Sequence, residues 1–166
     1  MKAIFDRRST RNFKKCKVSD ETIEYLLKTA MSSPNSGHQE PWEFIVLRTD
    51  EIKTEMNAVH GYDAMLNDVD AAIVVCINKE RIQWDGYWQM DTGTAVENMM
   101  IAATDMGLST LWLELFPVEE KMAKAKKILN LPDHVVPMMV MPIGDTDEKE
   151  DRAPRYVEKY VHWDRW

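Results

Sequence analysis

Three arginines and two hydroxyl residues occur together near the start of the chain, in the run Arg7-Arg8-Ser9-Thr10-Arg11. The planar guanidinium group of arginine donates paired hydrogen bonds to phosphate oxygens, and a serine hydroxyl adds a neutral donor. The run therefore predicts a site for a phosphate. The pattern alone leaves an alternative, a solvated basic segment that pairs with surface carboxylates. The cluster stands out because the chain as a whole carries a formal net charge of -7.

A second candidate site is the loop 33–42, with the sequence SPNSGHQEPW. It combines small residues, backbone amides and side-chain amides, and it leads directly into a predicted strand. Such a loop suits a flat polar heterocycle that needs close approach to the backbone. An ordinary surface loop is the alternative, and the sequence shows no base or nucleophile that would pair with His38.

A third candidate is Glu114, which stands in the otherwise apolar end of the run GLSTLWLELF, residues 107–116. One interpretation is a buried functional carboxylate. The other is a side chain that points to solvent at the end of a strand, which is the commoner situation for a glutamate.

Composition and missing motifs exclude several classes of protein. A sequence pI of about 5.1 leaves no broad basic face for nucleic acid. Cys16 and Cys76 lack CxxC spacing and the histidines lack ligand spacing, so no metal site is expected. The GxGxxG fingerprint, the phosphate loop and the GxSxG nucleophile elbow do not occur. With only two cysteines, a reducing cytoplasmic location is expected. The sequence shows no apolar signal region and no run of membrane length.

Hydrophobic periodicity predicts a single domain over residues 1–166, built from helices and strands. The predicted helices cover 20–31, 50–60, 88–106 and 117–129, and the predicted strands cover 42–48, 71–77, 108–116 and 135–143. The helix 88–106 is apolar nearly all round, which is typical of a buried central helix. The strand 71–77 is apolar throughout, so we expect both of its faces to be buried. Pro137 and Pro142 place the ends of the last strand at a sheet edge or a bulge.

The C-terminal tail, residues 152–166, is rich in large apolar side chains, namely Tyr156, Val157, Tyr160, Val161, Trp163 and Trp166. A tail in solvent would not carry so many of them. We therefore expect the tail to pack either on a partner subunit or back on its own domain.

Together these pieces resemble the FMN-dependent nitroreductase family over most of the chain and in the same order. Residues 7–13 resemble the family's opening RRSxRxF, and residues 34–42 resemble its PSxxNxQPW loop. Residues 91–108 resemble its central helix ending in GL, and residues 155–166 resemble its closing R(Y/F)…VH(W/Y)xxW.

The resemblance implies an α+β fold with a central, mostly antiparallel sheet flanked by helices. It also implies an intertwined homodimer that binds FMN in two sites at the subunit interface. The C-terminal extension, about residues 145–166, is expected to be exchanged across the homodimer and to add an edge strand to the partner's sheet.

The same resemblance assigns roles in cofactor binding to the basic segment. Arg7 and Ser9 are expected to bind the FMN phosphate, with Arg8 beside them. Arg11 is expected to lie nearer the N1/O2 edge of the flavin. A positive charge at that edge stabilises the anionic reduced flavin.

Contacts with the flavin ring are implied for two further regions. Pro34, Asn35 and His38 are expected to reach the isoalloxazine from the other subunit. Glu114 and Leu115 are expected to meet flavin N5 through their backbone amides rather than through the carboxylate.

Three departures from the family pattern bear on the expected cofactor contacts. Asn35 stands where the family usually has serine, and His38 stands where it usually has asparagine. Ala153 stands where some members carry a second basic residue, two positions before Arg155. Either Arg152 or Arg155 is therefore expected to close on the phosphate from the C-terminal side.

The activity implied is that of an NAD(P)H-dependent FMN oxidoreductase with ping-pong hydride transfer. NADH or NADPH is the expected donor, and a nitroaromatic, quinone or similar small molecule is the expected acceptor. No catalytic side chain is assigned, because the flavin carries the electron chemistry. An FMN storage or sensor protein with little turnover is the alternative.

Overall fold

A five-stranded antiparallel sheet forms the centre of the fold in the computed structural model, which describes residues 2–61, 65–148 and 155–166. Its strands are β1 (Trp42–Leu47), β2 (Ala71–Asn78), β3 (Ser109–Thr110), β4 (Leu113–Glu114) and β5 (Val135–Gly144). β2 pairs with β1 and β5, while β3 and β4 share the other side of β5. The structure confirms the predicted α+β fold with its antiparallel sheet.

The helices of the described chain are α1 (Ala3–Asp6), α2 (Asp20–Met31), α3 (Asp50–His60), α4 (Trp88–Asp105) and α5 (Glu119–Ile128). α2 and α4 cover one face of the sheet, and α3 and α5 cover the other. Each predicted helix is present with its ends within two residues of the expected positions. The short α1 was not predicted, because four residues are too few to show a hydrophobic period. Within the described ranges, no helix is long and apolar enough to cross a bilayer.

β2 separates two hydrophobic clusters, because alternate side chains of a strand point to opposite faces. The odd-numbered residues from Ala71 to Ile77 pack with α2 and α4, and the even-numbered residues from Ala72 to Cys76 pack with α3 and α5. The prediction that both faces of this strand are buried is confirmed. Burial raises the pKa of the Cys76 thiol to about 12, so this cysteine stays protonated.

β5 lies inside the sheet, so the expectation that its proline-bearing ends lie at a sheet edge was wrong. The alternative expectation, a bulge, is confirmed near Pro137. Val75 pairs with Met139, whereas the next residue, Cys76, pairs with Pro137. Met138 is therefore an extra residue in the ladder, and such a bulge accommodates a nearby proline.

Pro142 sits where the neighbouring strand is interrupted. β3 pairs with β5 at Ile143, and β4 pairs with it at Val140, so no residue of those strands pairs with Pro142. A proline has no N–H to donate to a partner strand. This interruption divides the single strand predicted over 108–116 into two short ones.

The described part of the tail, residues 155–166, is exposed along its whole length. Trp163 and Trp166 are 86% and 101% exposed. Packing of this part of the tail back on its own domain is therefore not observed. Residues 145–148 behave differently, because Asp145 exchanges backbone hydrogen bonds with Lys14 at 2.8 and 3.1 Å. Exchange of the tail with a partner stays a prediction.

Candidate functional site

The basic segment 7–11 is fixed to the edge of the sheet beside β3. The Thr10 N–H donates to the Thr110 carbonyl at 3.1 Å, and Ser9 forms a parallel bridge with the same residue. Side chains alternate along an extended backbone. Thr10 is accordingly 4% exposed, whereas Ser9 and Arg11 are exposed. The fold therefore presents Ser9 and Arg11 together on the outward face.

The three arginines of the segment make different contacts. Arg7 Nε lies 3.3 Å from Glu97 Oε1 on α4, and the arginine side chain is 17% exposed. Arg8 Nη1 donates to the carbonyls of Phe5 and Arg7 at 2.8 and 2.9 Å, which satisfies backbone groups at the end of α1. Arg11 is exposed, and its Nη1 makes a long contact of 3.4 Å with a backbone carbonyl. Arg8 thus already serves the local backbone.

The loop 33–40 has an unusual backbone. Gly37, His38 and Glu40 have φ angles of 58°, 54° and 43°. A residue with a Cβ rarely adopts this left-handed region, which costs roughly 1 kcal/mol or more. The loop is closed by Asn35 Oδ1, which accepts the Glu40 N–H at 3.0 Å. Such a conformation persists only where the surroundings fix it.

Polar side chains on one face of α4 hold this loop. Asp91, Thr94 and Asn98 are spaced at i, i+3 and i+7, so they lie along one side of the helix. Asn98 Nδ2 donates to Ser33 Oγ at 2.7 Å. Thr94 Oγ1 donates to the Asp91 carbonyl within the helix at 2.8 Å and lies 3.3 Å from the Pro34 carbonyl. Asp91 accepts hydrogen bonds from the backbone and the hydroxyl of residue 36 at 3.0 and 3.2 Å.

α4 thereby brings the two candidate regions together. Glu97 on this helix pairs with Arg7, and the next residue, Asn98, binds Ser33. Consecutive residues in a helix are separated by about 1.5 Å along its axis. The phosphate candidate and the heterocycle candidate, which the sequence shows separately, are neighbours on one helix.

Glu114 points to solvent, with its side chain 49% exposed and Oε1 3.0 Å from Lys121 Nζ. Its own backbone N–H and then Lys121 lower the pKa of its carboxyl. Of the two interpretations, the solvent-facing one is confirmed. The Leu115 N–H donates to the Met138 carbonyl at 2.9 Å, so the flavin contact expected of this amide competes with a hydrogen bond inside the sheet.

The other expected site residues lie in different surroundings. Pro34 and His38 are exposed and Asn35 is half-buried. Arg155 is exposed in the tail, and within the described chain no hydrogen bond or ion pair joins it to the segment 7–11. Arg152 lies outside the described residues. The cofactor roles of all four stay predictions.

Sequence reasoning assigned no role to Asp91, Gln39 or Glu97, although the structure places all three against the candidate regions. Asp91 gave a signal, because it precedes the buried Ala95 by one helical turn and a carboxylate on an apolar face needs partners. Gln39 and Glu97 gave none, since their positions are unremarkable for a loop and for an exposed helix face.

The donors of the segment 7–11 fit a phosphate group. Glu97 pairs with Arg7 through Nε, and it is the one ion-pair partner of that arginine among the described residues. Beside this segment, Thr110 Oγ1 is buried, and the described part of the chain offers it no hydrogen-bond partner. Donors for an anion, the Arg7 and Arg11 guanidinium groups and the Ser9 hydroxyl, therefore lie along this edge of the sheet.

Comparisons with known proteins agree with this architecture. The nitroreductase family profile matches residues 4–70 and 53–145. An Archaeoglobus fulgidus relative, named "Putative NADH dehydrogenase/NAD(P)H nitroreductase", is 34% identical over 170 residues, covering 100% of this chain and 98% of its own. A crystal structure from Clostridium acetobutylicum matches with a TM-score of 0.93 at 33% identity, covering 99% of each chain. An FMN-dependent nitroreductase from Clostridium difficile shares the fold, with a TM-score of 0.88 at 24% identity and 100% coverage of each chain. This chain belongs to the nitroreductase family.

Proposed function

We propose that this chain is an FMN-dependent oxidoreductase that takes electrons from NADH or NADPH. The observation that carries the proposal is that α4 joins the segment 7–11 to the loop 33–40, through Glu97 and Asn98. One region offers donors for a phosphate, and the other offers a polar loop for a flat heterocycle. FMN contains both a phosphate and a flat heterocycle. Family membership and the names of the relatives support the same cofactor and electron donor.

In this proposal the segment 7–11 holds the phosphate end of the cofactor. Arg7 would bind through its terminal nitrogens while Glu97 holds its Nε, and the Ser9 hydroxyl would add a neutral donor. Arg11, on the same outward face, would place its charge at the N1/O2 edge of the ring. A cation there favours the reduced, negatively charged form of a flavin.

The ring would be contacted by two further parts of the protein. Pro34, Asn35 and His38 would line it from a second subunit, and the left-handed backbone at His38 would set the direction of that side chain. The Glu114 and Leu115 backbones would face flavin N5, with the Leu115 N–H leaving or sharing the Met138 carbonyl that it binds in the single chain.

When bound, FMN supplies hydride transfer between a nicotinamide and a second substrate. We infer a ping-pong order, in which the acceptor uses the place that the nicotinamide has left. Nitroaromatics and quinones are the acceptors we propose. The chain orients both substrates and places charge near the ring, and no side chain is required as an acid or base.

We also propose a homodimer in which the tail of each subunit covers the other. Tyr156, Trp163 and Trp166 are 75%, 86% and 101% exposed in the single chain. A concentration of exposed apolar side chains of this kind marks an interaction surface. A tail seated on a second subunit would carry Arg155 toward the partner's phosphate site.

A cytoplasmic location is proposed from the cysteines. Cys16 and Cys76 are both free thiols. Unpaired thiols are the usual state in the reducing cytoplasm, whereas secreted proteins tend to pair them.

Loading the purified protein with FMN tests the proposal. We expect a yellow complex whose visible absorbance bleaches when NADH or NADPH is added without oxygen, and returns when a quinone is added. Bound flavin that stays oxidised with both nucleotides would favour the storage or sensor alternative. A protein that cannot be loaded with FMN would contradict both functions.

A further inference from the structure

A buried carboxylate on α4 organises the loop 33–40. Asp91 is 5% exposed, and its Oδ1 accepts hydrogen bonds from the backbone N–H and the hydroxyl of Ser36 at 3.0 and 3.2 Å. Its Oδ2 accepts from Gln39 Nε2 at 2.6 Å. A carboxylate offers acceptors alone, so it can satisfy all of these donors at once.

Gln39 extends this arrangement to a second segment. The side chain is buried, at 3% exposed, with its amide nitrogen directed to Asp91. Its Oε1 accepts the backbone N–H groups of Gln83 and Trp84, each at 3.1 Å. The amide therefore has one allowed orientation, because exchanging its nitrogen and oxygen would oppose donors to donors and acceptors to acceptors.

Trp84, in the segment that Gln39 fixes, lies against the loop 33–40 at Gly37. A Cβ added to Gly37 would lie 2.3 Å from Trp84 Nε1, so the indole occupies the space above this glycine. The neighbouring His38 and Glu40 hold left-handed φ angles of 54° and 43°. Residues in such conformations keep them only when the surrounding contacts over-determine the backbone.

We infer that Asp91 and Gln39 are positioning residues that set the conformation in which the loop 33–40 meets the flavin ring. The inference rests on the proposed function, since it gives the loop an FMN ring to meet. Neither side chain needs to touch the cofactor. Asp91 acts through residue 36, and Gln39 acts through the contact of Trp84 with Gly37.

The decisive variant is Asp91→Asn, which keeps the shape and replaces one acceptor by a donor. The remaining oxygen can still accept from Ser36, but the new NH₂ group then faces the NH₂ group of Gln39. If the Gln39 amide turns over, its nitrogen instead faces the two N–H groups at Gln83 and Trp84. A mismatch results in either orientation.

Adding Gln39→Glu to Asp91→Asn restores the pattern without changing the net charge. The new carboxylate accepts from the new amide on one side and from the backbone of Gln83 and Trp84 on the other. Gln39→Glu alone places two carboxylates in contact and is expected to disturb the loop as Asp91→Asn does. Thr104→Val is the matched control, because that hydroxyl donates within α4 to the Met100 carbonyl and not to the loop.

Three quantities are measured for each protein: the FMN dissociation constant by flavin fluorescence, the visible circular dichroism of bound FMN, and the Tm without FMN. We expect Asp91→Asn to weaken FMN binding about tenfold, as a buried mispaired donor does, and to alter the dichroism. The double variant is expected to recover to within about twofold of the wild type. The control should match the wild type in affinity and dichroism.

A loss of Tm in Asp91→Asn with unchanged affinity and dichroism would overturn the inference, because it would leave the network a role in stability alone. If Asp91→Asn does not fold, the double variant decides: recovery of folding with FMN binding supports the inference, and recovery of folding without it overturns the inference. If the wild-type protein binds no FMN, the proposed function fails and the positioning role fails with it. If the wild type binds FMN and Asp91→Asn changes the Tm alone, only the positioning role fails.

Discussion

Arg7 is held through its Nε by Glu97, whose side chain is 48% exposed, at a distance of 3.3 Å. An ion pair this exposed adds at most about 1 kcal/mol to stability. Its consequence is orientation, because a guanidinium has five N–H donors in a fixed plane and a contact at Nε directs the terminal nitrogens. Residue types in the sequence indicated that Arg7 could bind an anion, but the carboxylate that orients it follows from the fold.

His60, at the end of α3, makes the stability of the fold depend on pH. Burial, and then the charge of Lys121, lower the pKa of this ring from 6.5 to about 4, with Glu114 opposing the shift. The folded protein therefore keeps the ring neutral, while the unfolded chain binds a proton below about pH 6.5. The contribution of His60 to the free energy of unfolding is therefore fully present above about pH 6.5. It falls as the pH decreases from 6.5 to 4, by about 1 kcal/mol near pH 5 for a partly buried ring.

Thermal unfolding of the wild type and of His60→Gln at about pH 7.5 and pH 5 measures this dependence. Other carboxyl groups titrate in both proteins, so the difference between the two belongs to His60. We expect the variant to lose less stability than the wild type on acidification. An equal loss in both would mean that the ring is not held neutral in the fold.

At the scale of elements, α4 shows what sequence patterns can and cannot supply. Periodicity predicted a helix over 88–106 that is buried nearly all round. The helix runs Trp88–Asp105 but is buried only in part, with Met90 58% exposed. The pattern did not predict its polar contacts with the loop 33–40, which join residues 52 to 65 positions apart. Periodicity reports which positions are buried, whereas the partner of a buried polar group depends on tertiary packing.

β5 shows the same limit for a local rule. Proline is found mostly at sheet edges or bulges, so Pro137 and Pro142 predicted one of these for the ends of the strand. The strand is internal, with the predicted bulge near Pro137. Beside Pro142, a gap separates the neighbouring strands β3 and β4. The rule predicted that each proline lacks one hydrogen bond to a neighbouring strand. How the sheet accommodates the missing bond depends on the order of its strands, which the rule does not give.

At the scale of the whole molecule, hydrophobic periodicity predicted the helices and strands of the chain, and the family resemblance predicted the class of fold. It also predicted that the tail needs a surface to pack on. The single chain leaves residues 155–166 exposed, which agrees with a tail that packs elsewhere. The homodimer that would supply this surface stays a proposal.

Removal of residues 155–166 tests the assembly. We expect a monomer or an insoluble protein by size-exclusion chromatography with light scattering, because apolar surface of the partner loses its cover. Arg155→Ala in the full-length chain is the matched control, since it keeps every apolar side chain of the tail. That control should remain a dimer. A stable, FMN-loaded dimer without the tail would refute the proposed exchange.

The central claim is that the segment 7–11 binds the phosphate of a flavin, and a comparison of FMN with riboflavin tests it most directly. The two ligands share the ring and differ in the phosphate, so Arg7→Ala should weaken FMN alone. We predict a loss of about 10- to 150-fold, the size of a charge-assisted hydrogen bond of about 1.5–3 kcal/mol, with riboflavin affinity unchanged. Lys124→Ala on α5, which removes an exposed cation far along the chain, should change neither affinity. FMN affinity that survives Arg7→Ala, or equal losses for the two ligands, would contradict the claim.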